Sequence, residues 1–338
     1  MSNRGLTSQS RRFRIYAWSV LAYNILVILW GAVVRATGSG AGCGEHWPLC
    51  QGTVIPHAAQ LATLIEFAHR ATSGLAVALV LGLVLLAFRR FGRRDPVRRY
   101  AAAAVFFTLT EGLIGAALVI WGQVGSNASM TRVFVLSLHL VNTLLLLGSL
   151  ALCARAAGAI APTQSGGAKM PGQPASRVLS LWYGLGLVGI MAVAVTGTIA
   201  ALGDTLFPAA SLAQGLRWDL YGSPSPLIRL RIIHPVVAAT VGVYIVTLAL
   251  RALRSEHSPM ARRLARFLLV LVLVQFALGP LNLLLLAPLW AQILHLLTAD
   301  LIWLALVLLA AEALEYSQHP APDDLNPAFA CETPSNPT

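Results

Sequence analysis

The chain has 338 residues, of which 57% are hydrophobic and only 11% are charged, and its formal net charge is +11. Because soluble domains carry about 25% charged residues, this composition excludes an ordinary soluble protein and indicates an integral membrane protein. The positive charge is assigned to membrane topology and contact with anionic lipid, and nucleic acid is not expected as a partner.

Apolar runs long enough to cross a bilayer, roughly 20 residues each, recur along the whole chain. They are continuous Leu, Val and Ala rather than ten-residue alternations, so an all-α integral membrane protein with eight transmembrane helices is predicted. The first run is expected to be a membrane helix and not a cleaved signal peptide, because no small-residue cleavage site leads into a soluble domain. The predicted spans are 15–36, 63–88, 100–121, 132–154, 179–201, 229–251, 266–287 and 290–313.

Most of the 24 Lys and Arg residues lie before the first span or after an even-numbered span. Positively charged loops stay cytoplasmic, so both termini are predicted to be cytoplasmic: the segment 1–14 and a tail, 314–338, expected to be disordered. The Gly-, Pro- and Ala-rich segment 155–178 is predicted to be a cytoplasmic linker between two halves, 15–154 and 179–313. A multi-pass protein of the cell (inner) membrane is therefore expected.

The first outer loop contains a closely spaced cysteine pair in the sequence GCGEHWPLC, residues 42–50. The predicted topology puts this loop on the oxidising side of the membrane, where disulfides form. A glycine and a proline between the cysteines permit a tight turn, and a Cys43–Cys50 disulfide is predicted. The alternatives are a metal site that includes His46 and a pair of free thiols.

The two halves contain similar short sequences in the same order, which predicts a parallel repeat of two four-helix bundles. The clearest pair is LHLVNTLLLL in the fourth span and LHLLTADLIW in the eighth. The aligned segments are 32–40 with 192–200, 64–74 with 230–242, 109–118 with 273–282, and 138–147 with 294–303.

This repeat places His69, His139, His234 and His295 at equivalent positions, a few residues past the outer boundary of the even-numbered spans. At a rise of 1.5 Å per residue, all four lie roughly 10 Å into the membrane. Ionisable groups at such depth usually mark function, and two histidines from two helices of a bundle can ligate a haem iron. Histidines bonded across helix interfaces are the simpler alternative, and zinc is disfavoured because no third ligand recurs in both halves.

The residue three positions before the first histidine of each half differs in charge. Glu66 shares a helix face with His69, and Arg231 shares one with His234. An arginine there suits a haem propionate, whereas a carboxylate would repel one and could move protons. The first half is thus predicted to be reactive and the second to hold a cofactor, with an ion pair to Arg70 as the alternative role of Glu66.

Four other polar side chains have two candidate roles each. Glu111 could relay protons or hydrogen-bond a neighbouring helix. Asp300 could support His295 or pair across helices, and the second of these is favoured. Arg35 could snorkel to the interface or meet a propionate. Arg231 could also be an interfacial anchor.

The stretch GAVVRATGSGAGCGEHWPLC followed by IEFAHR resembles the haem A synthase family, and the eight spans, internal repeat, four histidines and cysteine pair fit the same pattern. The resemblance covers roughly residues 15–313. It implies an enzyme that oxidises the C8 methyl of haem O to a formyl group and so provides haem A for terminal oxidases. The implied site residues are Glu66 for the chemistry, His69 and His139 for substrate haem O, and His234 and His295 for a haem b cofactor.

The resemblance also implies a haem O synthase as donor, an electron partner that it does not identify, and haem sites towards the outer face. Because two axial histidines saturate an iron, ligation in the first half is predicted to be weaker than in the second. A homo-oligomer is compatible with the sequence. A bis-histidine electron carrier is disfavoured because the histidines share one depth, and a transporter because Pro280 interrupts one half alone.

Overall fold

The computed structural model describes residues 3–57, 60–158, 177–222, 225–254 and 258–318. Within these ranges the chain forms ten α-helices and one short 3-10 turn, Ser39–Ala41. The helices are α1 (Asn3–Ala36), α2 (Leu61–Arg90), α3 (Pro96–Ile120), α4 (Met130–Ala156), α5 (Arg177–Leu206), α6 (Leu212–Tyr221), α7 (Pro226–Arg231), α8 (Ile233–Arg254), α9 (Pro259–Leu284) and α10 (Leu289–Gln318).

Eight helical stretches of the described chain are long and apolar enough to cross a membrane. This confirms the predicted all-α membrane fold, and the side of the membrane on which the termini lie stays a prediction. The helices mostly extend past the predicted spans, and at the starts of α3, α4 and α9 a polar side chain caps the first turn. At α9, for example, Ser258 accepts a hydrogen bond from Ala261 N–H and Pro259 occupies the first turn, so the helix begins well before residue 266.

The predicted sixth span is divided into two helices. α7 ends at Arg231, Ile232 caps it, and α8 begins at Ile233. Pro235 has no N–H, so the carbonyl of Arg231 has no partner four residues later, which favours a break at this point. This break, at Ile232, lies two residues before His234.

Helix α6 lies where the sequence predicted a loop. Its start has a capping box: Ser211 Oγ accepts from Gln214 N–H, and Gln214 Oε1 accepts from Ala210 N–H at 2.7 Å. The Ser-x-x-Gln pattern was therefore a readable signal that was missed.

The spanning helices form two rings of four. In the first ring α1 packs on α2, α2 on α3, α3 on α4 and α4 on α1, and in the second α5, α8, α9 and α10 repeat this order. The rings meet where α1 and α4 pack against α5 and α10. This arrangement confirms the prediction of two repeat-related four-helix bundles.

The cores of both bundles lie in the part of the helices away from the histidines. Leu83, Leu147 and Leu150 are among the fully buried residues of the first core, and Leu268 and Leu306 are among those of the second. The four repeat-related histidines lie beyond these cores and are half-buried. We call this end, which also includes the disulfide loop and α6, the histidine end.

Two predicted segments lie largely outside the described residues. Of the predicted linker 155–178, the structure describes only the ends, where α4 reaches Ala156 and α5 begins at Arg177. Of the predicted tail 314–338, it describes the part up to Gln318, which is helical and continues α10.

Candidate haem-binding site

The cysteine pair at the histidine end forms the predicted disulfide. Cys43 and Cys50 are bonded, their Cα atoms are 4.4 Å apart, and both side chains are buried. His46 is exposed, and the described residues contain no group of three or more His, Cys, Asp or Glu that could hold a metal ion. Both the metal-site and the free-thiol alternatives for this loop are therefore wrong.

The disulfide loop is fixed to α2 through Glu66, which is 3% exposed. Glu66 Oε2 accepts from the backbone N–H of Cys43 at 2.7 Å, and Oε1 accepts from Arg70 Nε at 3.1 Å. Arg70 Nη1 in turn donates to the carbonyls of His46 and Leu49, each at 2.6 Å. The alternative ion pair with Arg70 is thus present, and together the two side chains bind both sides of the loop.

The loop also approaches the backbone of α2 so closely that only glycine fits at residue 42. A Cβ atom on Gly42 would lie 2.6 Å from the backbone of Ala62 and Thr63. Thr63 Oγ1 donates to the carbonyl of Gly42 at 2.8 Å. The first turn of α2, which leads directly to Glu66, is therefore covered by the loop.

Each of the four repeat-related histidines faces a glycine on a neighbouring helix. A Cβ on Gly31 of α1 would lie 3.0 Å from His69 Cε1, and a Cβ on Gly197 of α5 would lie 3.0 Å from His234 Cε1. The other pair repeats in the same way: Gly115 on α3 and Gly279 on α9 would each place a Cβ 3.8 Å from Cε1 of His139 and His295, respectively. The missing side chains let each imidazole ring pack closely against the neighbouring helix.

These contacts correct the register predicted from the sequence for the first and fifth spans. That alignment paired residues 32–40 with 192–200, whereas the structure pairs Gly31 with Gly197. Small and apolar residues fill both helices, so the sequences of α1 and α5 can be aligned almost equally well in several registers. The contact of each glycine with an equivalent histidine fixes the correct register.

The histidine pair of the second half has the spacing of two ligands to one metal. The ring centroids of His234 and His295 are 6.3 Å apart, and the ring planes are inclined at 80°. Two metal–imidazole bonds of about 2.0 Å and about 1.2 Å from each bonded nitrogen to its ring centre sum to roughly 6.4 Å. His234 Nδ1 lies 3.2 Å from Thr196 Oγ1, a contact that leaves Nε2 free for a metal.

The histidine pair of the first half has different neighbours. Within the described ranges, His69 and His139 form no ring contact like that of the second half. His139 Nε2 instead lies 3.4 Å from Glu111 Oε1 on α3. The Nδ1 atoms of His69 and His139 are buried and have no hydrogen-bond partner in this part of the chain. Together with the adjacent glycines, these unpaired ring nitrogens fit a site for a ligand with an iron centre.

Glu111 lies in a polar cluster between α3 and α4. Asn142 Nδ2 donates to Glu111 Oε2 at 2.5 Å, and the Thr143 hydroxyl donates to Oε1. The Thr110 hydroxyl donates to Asn142 Oδ1 at 2.6 Å. Of the two predicted roles, the hydrogen bond to a neighbouring helix is therefore observed.

Arg231 connects three helices of the second half. Its Nε donates to Asp219 on α6 at 2.6 Å, its Nη1 to Asp204 on α5 at 2.9 Å, and its Nη2 to the carbonyl of Gly215 at 3.1 Å. Each nitrogen of the guanidinium thus already donates one hydrogen bond. The propionate contact stays a prediction. Neither carboxylate partner was predicted: Asp219 lies on α6, which was not foreseen, and Asp204 lies on α5, beyond the predicted end of the fifth span.

Arg35 bridges the two halves and does not snorkel. Its Nη1 donates to the carbonyl of Ala201 and the hydroxyl of Thr205, both at 2.8 Å, and its Nη2 donates to Gln292 Oε1 at 2.9 Å. Arg35 lies one turn beyond Gly31, and Ala201 lies one turn beyond Gly197. The bridge therefore connects the two histidine–glycine sites directly.

Among the described residues Asp300 does not pair across helices, although the sequence favours such a pair. The side chain is 1% exposed, but it forms no hydrogen bond across helices within the described chain, and its Oδ2 atom is buried without a partner. It also makes no hydrogen bond to His295. We have no physical account of this isolated carboxyl group.

Comparison with known proteins places the chain in a family. The model of the cytochrome oxidase assembly protein family, COX15-CtaA, matches residues 14–307. The chain is 47% identical over 300 residues to a protoheme IX farnesyltransferase of Thermus thermophilus, a match that covers 89% of this chain and 48% of that protein.

Shorter matches connect the chain with haem A synthases. It is 45% identical over 123 residues to that of Staphylococcus saprophyticus, which covers 36% of this chain and 38% of the relative. It is 38% identical over 141 residues to that of Halalkalibacterium halodurans, which covers 42% and 47%. The chain thus spans about half the length, or less, of these curated relatives. The matches confirm the resemblance found in the sequence, and the chain belongs to the cytochrome oxidase assembly protein family COX15-CtaA.

Proposed function

We propose that this chain is a haem A synthase, which oxidises the C8 methyl group of haem O to a formyl group. The observation that carries the proposal is the histidine–glycine contact that recurs in both halves, at the same end of two repeated bundles. Repeated ligand positions with different polar neighbours suit two haems with different roles. The relatives named haem A synthase support the same reaction.

The second half is proposed to hold a resident haem b. His234 and His295 are its axial ligands, and Thr196 sets the tautomer of His234. Arg231 is proposed to hydrogen-bond a haem propionate through the guanidinium N–H groups that do not bind its two carboxylate partners. When bound, the haem iron supplies the redox chemistry, and the chain supplies its position and electrostatic environment.

The first half is proposed to bind haem O through His69 and His139. Oxidation of a methyl to a formyl group releases electrons and protons and adds one oxygen atom, so a proton acceptor is needed near the reacting edge. Glu66 is proposed for this role, since its carboxylate is buried one turn from His69 and is held in place by Cys43 N–H and Arg70. The disulfide loop that it fixes shields this end from water.

The surroundings of the enzyme are also proposals. We infer that the chain lies in the cell (inner) membrane, with the histidine end towards the outer face and an unidentified electron partner, and that its product serves terminal oxidases. A haem O synthase is the proposed donor. This is supported by the Thermus relative named protoheme IX farnesyltransferase, of which this chain matches about half.

The proposal is tested by expressing the full chain with and without a haem O source and separating the extracted haems by chromatography. Haem A is expected only when both are present, and the His69→Ala variant should abolish it. Extracts that contain haem b and unaltered haem O, with no haem A, would instead favour a bis-histidine electron carrier.

A further inference from the structure

We propose that Glu111 holds His139 as a hydrogen-bond donor and so keeps it from being a permanent axial ligand in the first half. The site would then be held by His69, with one axial position exchangeable. This inference rests on the proposed function, because it concerns how the substrate haem is ligated. It assigns Glu111 a positioning role.

The first step is that Glu111 cannot turn away from His139. Its Oε2 is bonded to Asn142 Nδ2, and Asn142 also donates to the carbonyl of Phe107 at 2.8 Å. Its Oε1 is contacted by the Thr143 hydroxyl and by His139 Nε2. Two residues of α4 therefore fix the carboxylate beside the ring nitrogen that faces it.

The second step concerns the tautomer of His139. A carboxylate is purely an acceptor, so it favours the hydrogen on Nε2. Nδ1 of the same ring is buried and has no partner, so nothing in the described structure favours the other tautomer. A ring nitrogen that bears a hydrogen has no free lone pair for iron, and ligation through Nε2 must first break the contact with Glu111.

The third step is that the second half lacks this arrangement. The position of Glu111 is occupied by Gln275, whose Nε2 lies 3.2 Å from His295 Nε2. An amide carries both a donor and an acceptor, and Gln275 Oε1 is buried without a partner in the described structure, so Gln275, unlike a carboxylate, does not fix which nitrogen of His295 bears the hydrogen. The repeat partner of Asn142 is Thr298, whose hydroxyl donates to the carbonyl of Leu294 in its own helix. The repeat partner of Thr143 is Ala299, which has no polar side chain.

The ring geometry follows the same division. His295 forms a ring pair with His234, and within the described residues His139 forms none with His69. An exchangeable position suits a haem that must enter and leave, whereas two standing ligands suit a resident one.

The test uses ferric, haem O-loaded full-length protein kept anaerobic, with spin state read by electron paramagnetic resonance and absorption. Wild type should show a low-spin bis-imidazole component and a high-spin component. Glu111→Gln should convert the high-spin component to low-spin and weaken cyanide binding to it by about tenfold, because cyanide must then displace His139. Gln275→Glu should create a second high-spin component.

His139→Ala is the matched control. In wild type it should leave the high-spin component unchanged, and in the Glu111→Gln background it should remove the new low-spin signal. A first-half haem that is already low-spin in wild type and loses that state in His139→Ala would overturn the inference while leaving the proposed function intact. Failure of wild type and of every variant to bind a second haem when haem O is supplied would overturn both.

Discussion

In the first half, the histidine of α2 is preceded by Glu66 and followed by Arg70, and both side chains bind the disulfide loop. In the second half, Arg231 and Pro235 occupy these positions, the helix is broken, and the arginine binds carboxylates on α5 and α6. One bundle therefore directs its charged groups to a loop that covers the site, and the other directs them to its own helices. This difference fits the proposal that the first half is the reactive one and that the second holds a cofactor.

The features shared by the halves are steric, and those that differ are polar. The glycines that face the histidines recur at the same distances in both bundles. By contrast, Glu111 and Gln275 occupy one repeat position: a carboxylate that can only accept lies beside the histidine of α4, and an uncharged amide that can donate or accept lies beside that of α10. The repeat thus kept the packing of each histidine ring against a glycine and changed the polar group beside the ring.

The largest expected effect separates the two haem sites. His234→Ala or His295→Ala should remove nearly all of the resident haem b, because one ligand of the ring pair is lost. His69→Ala should retain it, because that side chain lies in the other bundle. Haem content per purified chain, measured as the pyridine haemochrome, checks this.

The exposed histidine of the disulfide loop provides the control, and His46→Ala should leave haem content unchanged. If His69→Ala lost haem b and His234→Ala kept it, the roles of the two halves would be reversed.

A second effect concerns the loop that only the first half has. Glu66→Ala should destabilise the protein by about 3–5 kcal/mol, because it leaves the Arg70 guanidinium without its buried partner. The double variant Glu66→Ala, Arg70→Ala should lose less than the two single variants added together. Thermal unfolding and protease cleavage within residues 42–50 report the change.

Glu66→Gln sharpens this test, since an amide oxygen still accepts from Cys43 N–H. We expect it to keep the loop resistant to protease but to lose haem A formation. Full activity of Glu66→Gln would show that the residue serves only to hold the loop.

A third, smaller effect compares the glycines that face the histidines. Gly197→Ala should push His234 and cost about 1–3 kcal/mol, and the spectrum of the resident haem should shift. Gly31→Ala should leave that spectrum unchanged and lower the yield of haem A. Gly184→Ala, on the same helix as Gly197 but with open space at its Cβ position, is the control and should change neither.

The sequence predicted the fold well because the bilayer imposes it. Apolar runs of sufficient length must become helices in lipid, and the four histidines stand out in such runs because ionisable groups are costly there. The disulfide was readable from spacing, and the ion pair of Glu66 with Arg70 from their separation of one helical turn.

Contacts between distant parts of the chain could not be read in this way. Arg35 lies at the end of α1 like any interfacial arginine, and only the packing of α1 against α5 and α10 shows that it binds across the halves. The carboxylate partners of Arg231 depend on the packing of α7 against α5, which carries Asp204, and against α6, which carries Asp219, and no local pattern encodes this packing. Pro235 is a local signal for the break at Ile232, but Pro280 lies inside the unbroken α9, so a proline alone does not determine where a helix ends.

The smallest effect tests whether the two halves are coupled through Arg35. Arg35→Ala removes donors to Ala201, Thr205 and Gln292; the Ala201 carbonyl keeps the Thr205 hydroxyl as a donor, and Gln292 Oε1, left without its donor, costs about 1–3 kcal/mol. We expect a lower thermal midpoint with unchanged ligation of either haem, because the guanidinium contacts neither histidine ring in the described structure. Arg35→Lys, which can replace one of these bonds, should recover part of the loss. A spectral shift of both haems in Arg35→Ala would instead mean that the bridge sets the geometry of the two sites together, and the halves could then no longer be treated as independent binding units.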